Sequence, residues 1–486
     1  MGCNVNNTSA LSHRGVVVYL ALFLVLEGVT KADWPQFRGP NGSGVSNDRG
    51  LPVQFGLDQN VMWKIALPPG HSSPVVSGAR LFITAFQDSN LLTLCLNRKT
   101  GEMIWRREIP RERHEKHHPH NTPATPTPVT DGNNVYVFFA DFGLISYGQE
   151  GRERWRVRLG PFNNAHGMAS SPIIAGNKLV LVCDQETNSF LIAIDKDNGK
   201  ICWKTERPEV IQGFATPIFF QAPEGPSQLI VPGSFQLIAY SLATGQKLWW
   251  IHGLNWQPKT VPLLDQNILY FLINTWGTGD PGNQVIMPEF EEVLQEYDKN
   301  RDGFLSLDEA VGPNLKESWS VVDLNKNGTL DKKEWDFYRS MLTGQNGLFA
   351  IRPGGRGDLT TTNLLWRYWK SLPNVCSPVL YNGILFMVKD GGVVTSLNPR
   401  NGTVLKQGRL HDGLETYFAS LVAADGKIFM VSVSGKITVL RAMGEWEILA
   451  VNDLGEECYA TPAIVDGKLY IRTRQHLYCF GKTSNP

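Results

Sequence analysis

Short apolar runs, most of them four to six residues long and closed by Gly, Asn or Asp, succeed one another along most of the chain. Residues 169–204 give the clearest copy. A small-residue turn ending in Ser171-Pro172 opens a brief apolar segment, and Gly176-Asn177 reverses the chain into Lys178–Cys183. Phe190–Asp195 follows, and a turn at Gly199 leads to a last segment bearing Trp203. Runs of this length between tight turns predict four antiparallel strands in a meander. One meander has two apolar faces and cannot bury both alone, which predicts further copies.

The Ser/Thr-Pro opening recurs at Pro74, Pro128, Pro172, Pro217, Pro378 and Pro462, with Val261-Pro262 as a variant and Ser420-Leu421 lacking the proline. Successive spacings are 54, 44, 45, 45, 116, 43 and 41 residues, so a single insertion accounts for the one break in period. Trp105, Trp155, Trp203, Trp249 and Trp366 hold the fourth-strand position, the first four of them four residues after Gly101, Gly151, Gly199 and Gly245. Four-stranded units at this period predict an all-β, eight-bladed propeller of antiparallel blades. The last copy supplies only three strands before Gly481, and Val61–Leu67, carrying Trp63, lies ahead of the first opening. Pairing that segment into the last sheet would close the ring and remove its open edges.

The long gap interrupts the fifth blade after its second strand, and the third resumes at Gly347. Residues 277–346 are acidic and helix-periodic, which predicts a small all-α insertion in a loop. Within it, Asp298, Asn300, Asp302, Ser306 and Glu309 place oxygen ligands at positions 1, 3, 5, 9 and 12 of a loop, with Gly303 at position 6 and the Phe304 carbonyl at 7. Asp323, Asn325, Asn327, Gly328, Thr329, Asp331 and Glu334 repeat the scheme. A hard dication takes several oxygens and a closing bidentate carboxylate, so the pattern predicts an EF-hand pair holding two calcium ions. Phe290, Val293, Leu294 and Tyr297 fall on one face of the entering helix, and Leu305 and Leu330 are placed to pair between the loops. Only thirteen residues part Glu309 from Asp323, and Gly312-Pro313 breaks them, so the middle helices must be short.

Charge then narrows the function. With 46 basic and 46 acidic residues, nothing biases the chain toward nucleic acid or anionic membrane. Arg14 precedes an apolar run, Gly15–Leu26, too short for an ordinary membrane span. It reads as a signal peptide over residues 1–32, cleaved after Ala32, for a secreted or periplasmic protein with no membrane span afterwards. The mature chain then divides into propeller at 33–276, insertion at 277–346 and propeller at 347–486. Asp33–Gly44 is expected to be an ordered arm, because Trp34 and Phe37 need burial. Cys95, Cys183, Cys202, Cys376, Cys458 and Cys479 lack metal-ligand spacing; they read as buried thiols, with a Cys183–Cys202 pair open in an oxidising compartment. His114, His117, His118 and His120 raise the question of a metal, but their spacing shares no face and Pro119 favours a solvated loop. Arg356-Gly357-Asp358 reads as a turn rather than an adhesion motif.

Ala193, Asp195, Gly199, Lys200 and Trp203 fit the tryptophan-docking pattern A-x-D-x-x-x-G-K-x-x-W, with partial matches at Ala239, Gly245 and Trp249 and at Asn97, Gly101 and Trp105. Lys406 replaces the tryptophan after Gly402, and the seventh blade lacks a clear motif. The repeat resembles the quinoprotein-type propeller. That family includes dehydrogenases using pyrroloquinoline quinone (PQQ) and the non-enzymatic propeller of the outer-membrane barrel-assembly machinery. The chain also resembles secreted bacterial proteins that join this propeller to EF-hands. The dehydrogenases carry adjacent cysteines beneath the quinone, and no two cysteines are adjacent here. The resemblance therefore implies a calcium-binding, non-catalytic binding or scaffold protein for a protein or small-molecule ligand. The alternative it implies is a PQQ-dependent dehydrogenase acting on alcohols or sugars. No catalytic residue stands out.

Overall fold

Each Ser/Thr-Pro opening starts a twisted antiparallel sheet in the computed structural model, which describes residues 1–2, 34–275, 285–410 and 414–482. The expected export segment and its cleavage point lie outside these residues. The chain divides at residue 31, and the architecture that follows is that of the unit from Ala32 to Pro486. Eight sheets form the ring. Six span residues 75–110, 129–158, 173–206, 218–252, 379–409 and 422–453. The fifth in chain order joins 263–273 to 347–368, and the eighth joins 463–480 to Val61–Ala66. In that closing pair Trp63 lies opposite Cys479 and Ala66 opposite His476. This is an eight-bladed propeller of four-stranded antiparallel blades.

The apolar alternation explains where the core sits. Middle strands are buried on both faces, so successive sheets pack face to face and the core runs between them. Tyr136 and Phe138 of the second blade meet Leu179, Leu181 and Ile192 of the third; Val180 and Val182 meet Leu229 and Ile238 of the fourth. At the outer edge, each docking tryptophan reaches into the following blade. Trp155 donates its indole N–H to Lys196 O at 3.0 Å and Trp203 to Leu242 O at 3.1 Å. Gly199 is needed twice over, since its φ is +77° and a Cβ would sit 2.9 Å from the Trp155 ring. Lys406 fills the same role without an indole, donating to Trp446 O at 2.7 Å and lying over that ring at 4.4 Å.

The fourth and fifth blades meet differently. Trp249 turns inward to Gln228 Oε1 at 2.9 Å, and Gly357–Asp358 adds a fifth, parallel strand beside Trp249 and Trp250. The expected turn at Arg356-Gly357-Asp358 is therefore a clamp, because the fifth blade's longer connection lets it fold back over its neighbour. Its Asp358 sits 3.0 Å from His252.

Among the described residues three α-helices occur: α1 (Phe290–Tyr297), α2 (Trp319–Val322) and α3 (Lys332–Thr343). They lie between the second and third strands of the fifth sheet, whose ladder pairs Ile273 with Gly347. Phe290 and Val293 are buried, with Leu294 and Tyr297 packed beside them, and Leu305 pairs with Leu330. No helix among the described residues is long and apolar enough to cross a membrane. The six cysteines among the described residues are free; five are buried, but Cys202 is exposed on an outer strand, so it departs from the expected burial and is unpaired with Cys183.

Candidate functional site

A funnel of about 1270 Å³ is lined by residues from nearly every blade. Its base is the N-terminal arm. Trp34 is fully buried and bridges to Val76 of the first blade, while Asn41 bonds the backbone of Phe219 in the fourth. Arg38, also fully buried, donates to Pro378 O at 2.7 Å and Leu421 O at 3.3 Å of the sixth and seventh openings. Burial without a carboxylate partner pulls its guanidinium down to about 9. Phe37, half-buried, faces the funnel from this arm.

Above the arm runs a belt of hydroxyls, the residues that precede the opening prolines. Ser73 N–H donates to Thr127 Oγ1, Thr127 to Ser171 Oγ and Ser171 to Thr216 Oγ1, at 3.0, 3.0 and 3.1 Å. From the fifth blade onward, Val261 N–H donates to Ser377 Oγ, Ser377 to Ser420 Oγ, Ser420 to Thr461 Oγ1 and Thr461 back to Ser73 Oγ. Every one of these bonds ties a blade to the next around the axis. Val261 has no hydroxyl to offer, and the belt is interrupted there. Ser420 keeps its place although Leu421 replaces the proline.

Rings crowd the mouth. His71 stacks on Tyr459 at 4.3 Å, Tyr459 on Phe418 at 5.8 Å, and His120 lies 5.1 Å from Phe418. His118 stands between His120 at 5.0 Å and His166 at 5.7 Å, and His166 meets Phe214 edge-on. The expected solvated histidine loop is exposed, but it is also the funnel's lip: His114, His118 and His120 line the cavity. His71 and His166 join it from remote sequence, and nothing local marks them. Burial and the nearby Arg472 hold His71 down at about 4, and burial lowers His118 and His166. His71, His118 and His166 therefore face the cavity as neutral imidazoles at neutral pH. Among the described residues no three His, Cys, Asp or Glu side chains converge as metal ligands. Lys259 adds one amine, lowered to about 8 by burial and donating to Asn374 Oδ1 at 3.0 Å.

The two acidic loops share one backbone network. At position 1, Asp298 Oδ2 and Asp323 Oδ2 each accept from the N–H of the position-6 glycine at 3.0 Å. Gly303 and Gly328 meet this with φ of +82° and +85°. Asn300 Oδ1 accepts from Asp302 N–H and Asn325 Oδ1 from Asn327 N–H, both at 2.9 Å. Asp302 and Asn327 accept from Phe304 and Thr329 N–H in turn. Glu309 Oε1 and Glu334 Oε1 each accept at 2.9 Å from the N–H one residue after the first aspartate. Bonds from the Ser306 N–H and hydroxyl hold Glu309 down at about 2, whereas desolvation raises Glu334. Ser306 and Asp331 stand at position 9, and Asp331 caps α3 by accepting from Glu334 N–H. The donors are all oxygens on tightly wound loops, which suits calcium.

The family of outer membrane protein assembly factor BamB matches residues 57–271, and the EF-hand family matches 290–309 and 320–337. The chain is an eight-bladed propeller, similar to that family over the matched residues, with EF-hand matches in its insertion. BamB from Moraxella catarrhalis shares the propeller's fold with a TM-score of 0.54 at 12% identity, over 88% of this chain and 98% of that one. A europium-containing methanol dehydrogenase gives 0.59 at 8%, over 93% and 98%. Quinohemoprotein alcohol dehydrogenase ADHIIG from Pseudomonas putida HK5 gives 0.56 at 11%, over 94% and 81%. At such identities the likeness is one of fold. Among curated proteins, none matches the sequence.

A quinone with its own bound cation would need free carboxylates in the funnel. Glu115 is instead held by Arg113 at 3.0 Å, and Glu186 Oε1 accepts from Gln212 Nε2 and Ala165 N–H. Asp323 belongs to the second acidic loop. The donor set does not fit that group.

Proposed function

We propose that this chain is an exported, calcium-binding propeller that binds a protein segment or small molecule in its axial funnel without catalysing a reaction on it. The observation that carries the reading is the funnel: backed by the arm and walled by rings and amides at its mouth, it has the form of a ligand site. Export draws on the apolar run Gly15–Leu26 alone.

Two calcium ions are assigned to the acidic loops. The first takes Asp298, Asn300, Asp302, the Phe304 carbonyl, Ser306 and Glu309; the second takes Asp323, Asn325, Asn327, the Thr329 carbonyl, Asp331 and Glu334. Three carboxylates per loop point to modest affinity, in the range of about 10⁻⁴ to 10⁻³ M typical of extracellular modules. Calorimetry of the full chain with calcium chloride should give two binding events, with Glu309→Gln and Glu334→Gln each removing one. No heat at millimolar calcium would end the assignment.

For the funnel, a thermal-shift survey of metabolites and peptides should yield stabilising ligands whose effect is lost in Tyr459→Ala or Phe418→Ala. The alternative, a quinone-dependent dehydrogenase of alcohols or sugars, draws on the fold shared with methanol dehydrogenase. Uptake of PQQ with dye-linked alcohol or sugar oxidation would establish that reading and overturn the non-catalytic one.

A further inference from the structure

We propose that calcium in the second EF-hand loop controls the rim of the funnel, whereas calcium in the first does not; this rests on the funnel being the binding site. The two loops match in sequence but differ in surroundings. Residues of the second loop, Asp323, Leu324 and Lys326, line the funnel beside Ser320 and Val321 of α2, and the lining includes no residue of the first loop.

The second loop is also packed into the propeller. Leu324, Val321 and, from α3, Phe337 and Met341 form one apolar cluster with Ile211 and Trp256 of the blade connections and Phe235 of a hairpin in the fourth blade. Phe337 meets Trp256 edge-on at 5.6 Å. Trp256 is itself part of the funnel wall. From its neighbour a buried polar chain runs on toward the mouth. Gln257 Nε2 donates to Gln212 Oε1 at 2.9 Å, Gln212 Nε2 to Glu186 Oε1 at 2.8 Å, and the same oxygen accepts from Ala165 N–H at 3.0 Å, one residue from His166.

The link to the ion is Glu334. Its Oε1 accepts from the N–H groups of Leu324 and Asn325 at 2.9 and 3.2 Å. A bidentate grip on calcium draws on the same carboxylate. Occupancy is therefore felt at the Leu324 backbone, and through its side chain at Trp256. Buried side chains at crystal-like density transmit such a shift rather than absorb it. Calcium also places positive charge beside Asp323 at the rim, where Lys326 and Lys259 already favour an anionic group. By reciprocity, whatever fills the funnel alters calcium affinity at the second loop.

Calcium alone is the probe. Hydrogen exchange of the full chain, read by mass spectrometry with and without calcium, should slow severalfold across 298–342. It should also slow at 210–214, 255–258 and 163–168. Glu309→Gln should keep this remote protection, while Glu334→Gln and the milder Asn327→Ala should lose it; the exposed Asn327 keeps the test open if Glu334→Gln does not fold. Protection confined to 298–342 in the parent overturns the coupling and leaves the funnel as a binding site. Loss of remote protection in Glu309→Gln overturns its assignment to the second loop. Protection nowhere overturns the calcium sites and the coupling together.

Discussion

Thr461 ties the last blade to both neighbours, accepting from Ser420 N–H of the seventh and donating its own N–H to Ser73 Oγ of the first. Thr461→Val keeps the shape but strands the buried Ser420 N–H, a loss of about 1–3 kcal/mol. Val261→Thr restores a hydroxyl at the one interrupted position and should gain about 0.5–1.5 kcal/mol. Urea denaturation of both variants checks the belt; an unchanged midpoint for Thr461→Val would remove it as a stabilising device. His71 makes a second prediction at this scale. Its folded value of about 4 lies below the ordinary 6.5. The unfolded chain therefore takes up a proton first as pH falls. The stability His71 contributes is complete above about 6.5 and is lost progressively toward pH 4. Melting temperature should decline over that window, and His71→Gln should flatten the decline.

Among the elements, the docking strand and the insertion behave differently. A docking tryptophan belongs to one blade and its glycine seat to the next, so the G-K-x-x-W spacing records two half-sites. Lys406 keeps the half-site working because its amine replaces the indole N–H and also lies over the Trp446 ring. The insertion leaves the ladder it interrupts intact, since Ile273 and Gly347 are already partners. Replacing 277–346 by a short Gly/Ser loop should give a soluble, β-rich protein. Because α3 covers Ile211 and Trp256, the deletion should melt lower than the parent and bind more of a hydrophobic dye. Aggregation of the deletion alone would make the insertion part of the core.

The whole ring depends on its N-terminal segment twice. Val61–Ala66 completes the eighth sheet, and the arm before it backs the funnel while touching the first, second, fourth, sixth and seventh blades. Removing 33–67 bares the edge of His476–Phe480 and withdraws Arg38 and Trp34 together. Broadened melting or self-association through the open edge is expected, read by calorimetry and light scattering. A truncation that stays monomeric with the parent's melting profile would show that closure is dispensable.

Blade number, ring closure and the EF-hand repeats were legible in the sequence, because each is written locally. Alternation fixes strands, glycine and asparagine fix turns, and an ion loop needs its oxygens within twelve residues. The docking glycines were legible as turns, yet their partners were not. Only the packed ring brings Gly199 to Trp155. The funnel was hidden for the same reason. A propeller's axis takes few residues from each blade, roughly one period apart, so His71, His118 and His166, or Ser73 and Thr461, carry no shared local pattern. Tertiary structure also separated two loops that the sequence makes equivalent, setting the second against Trp256 through apolar packing that depends on where α3 lands.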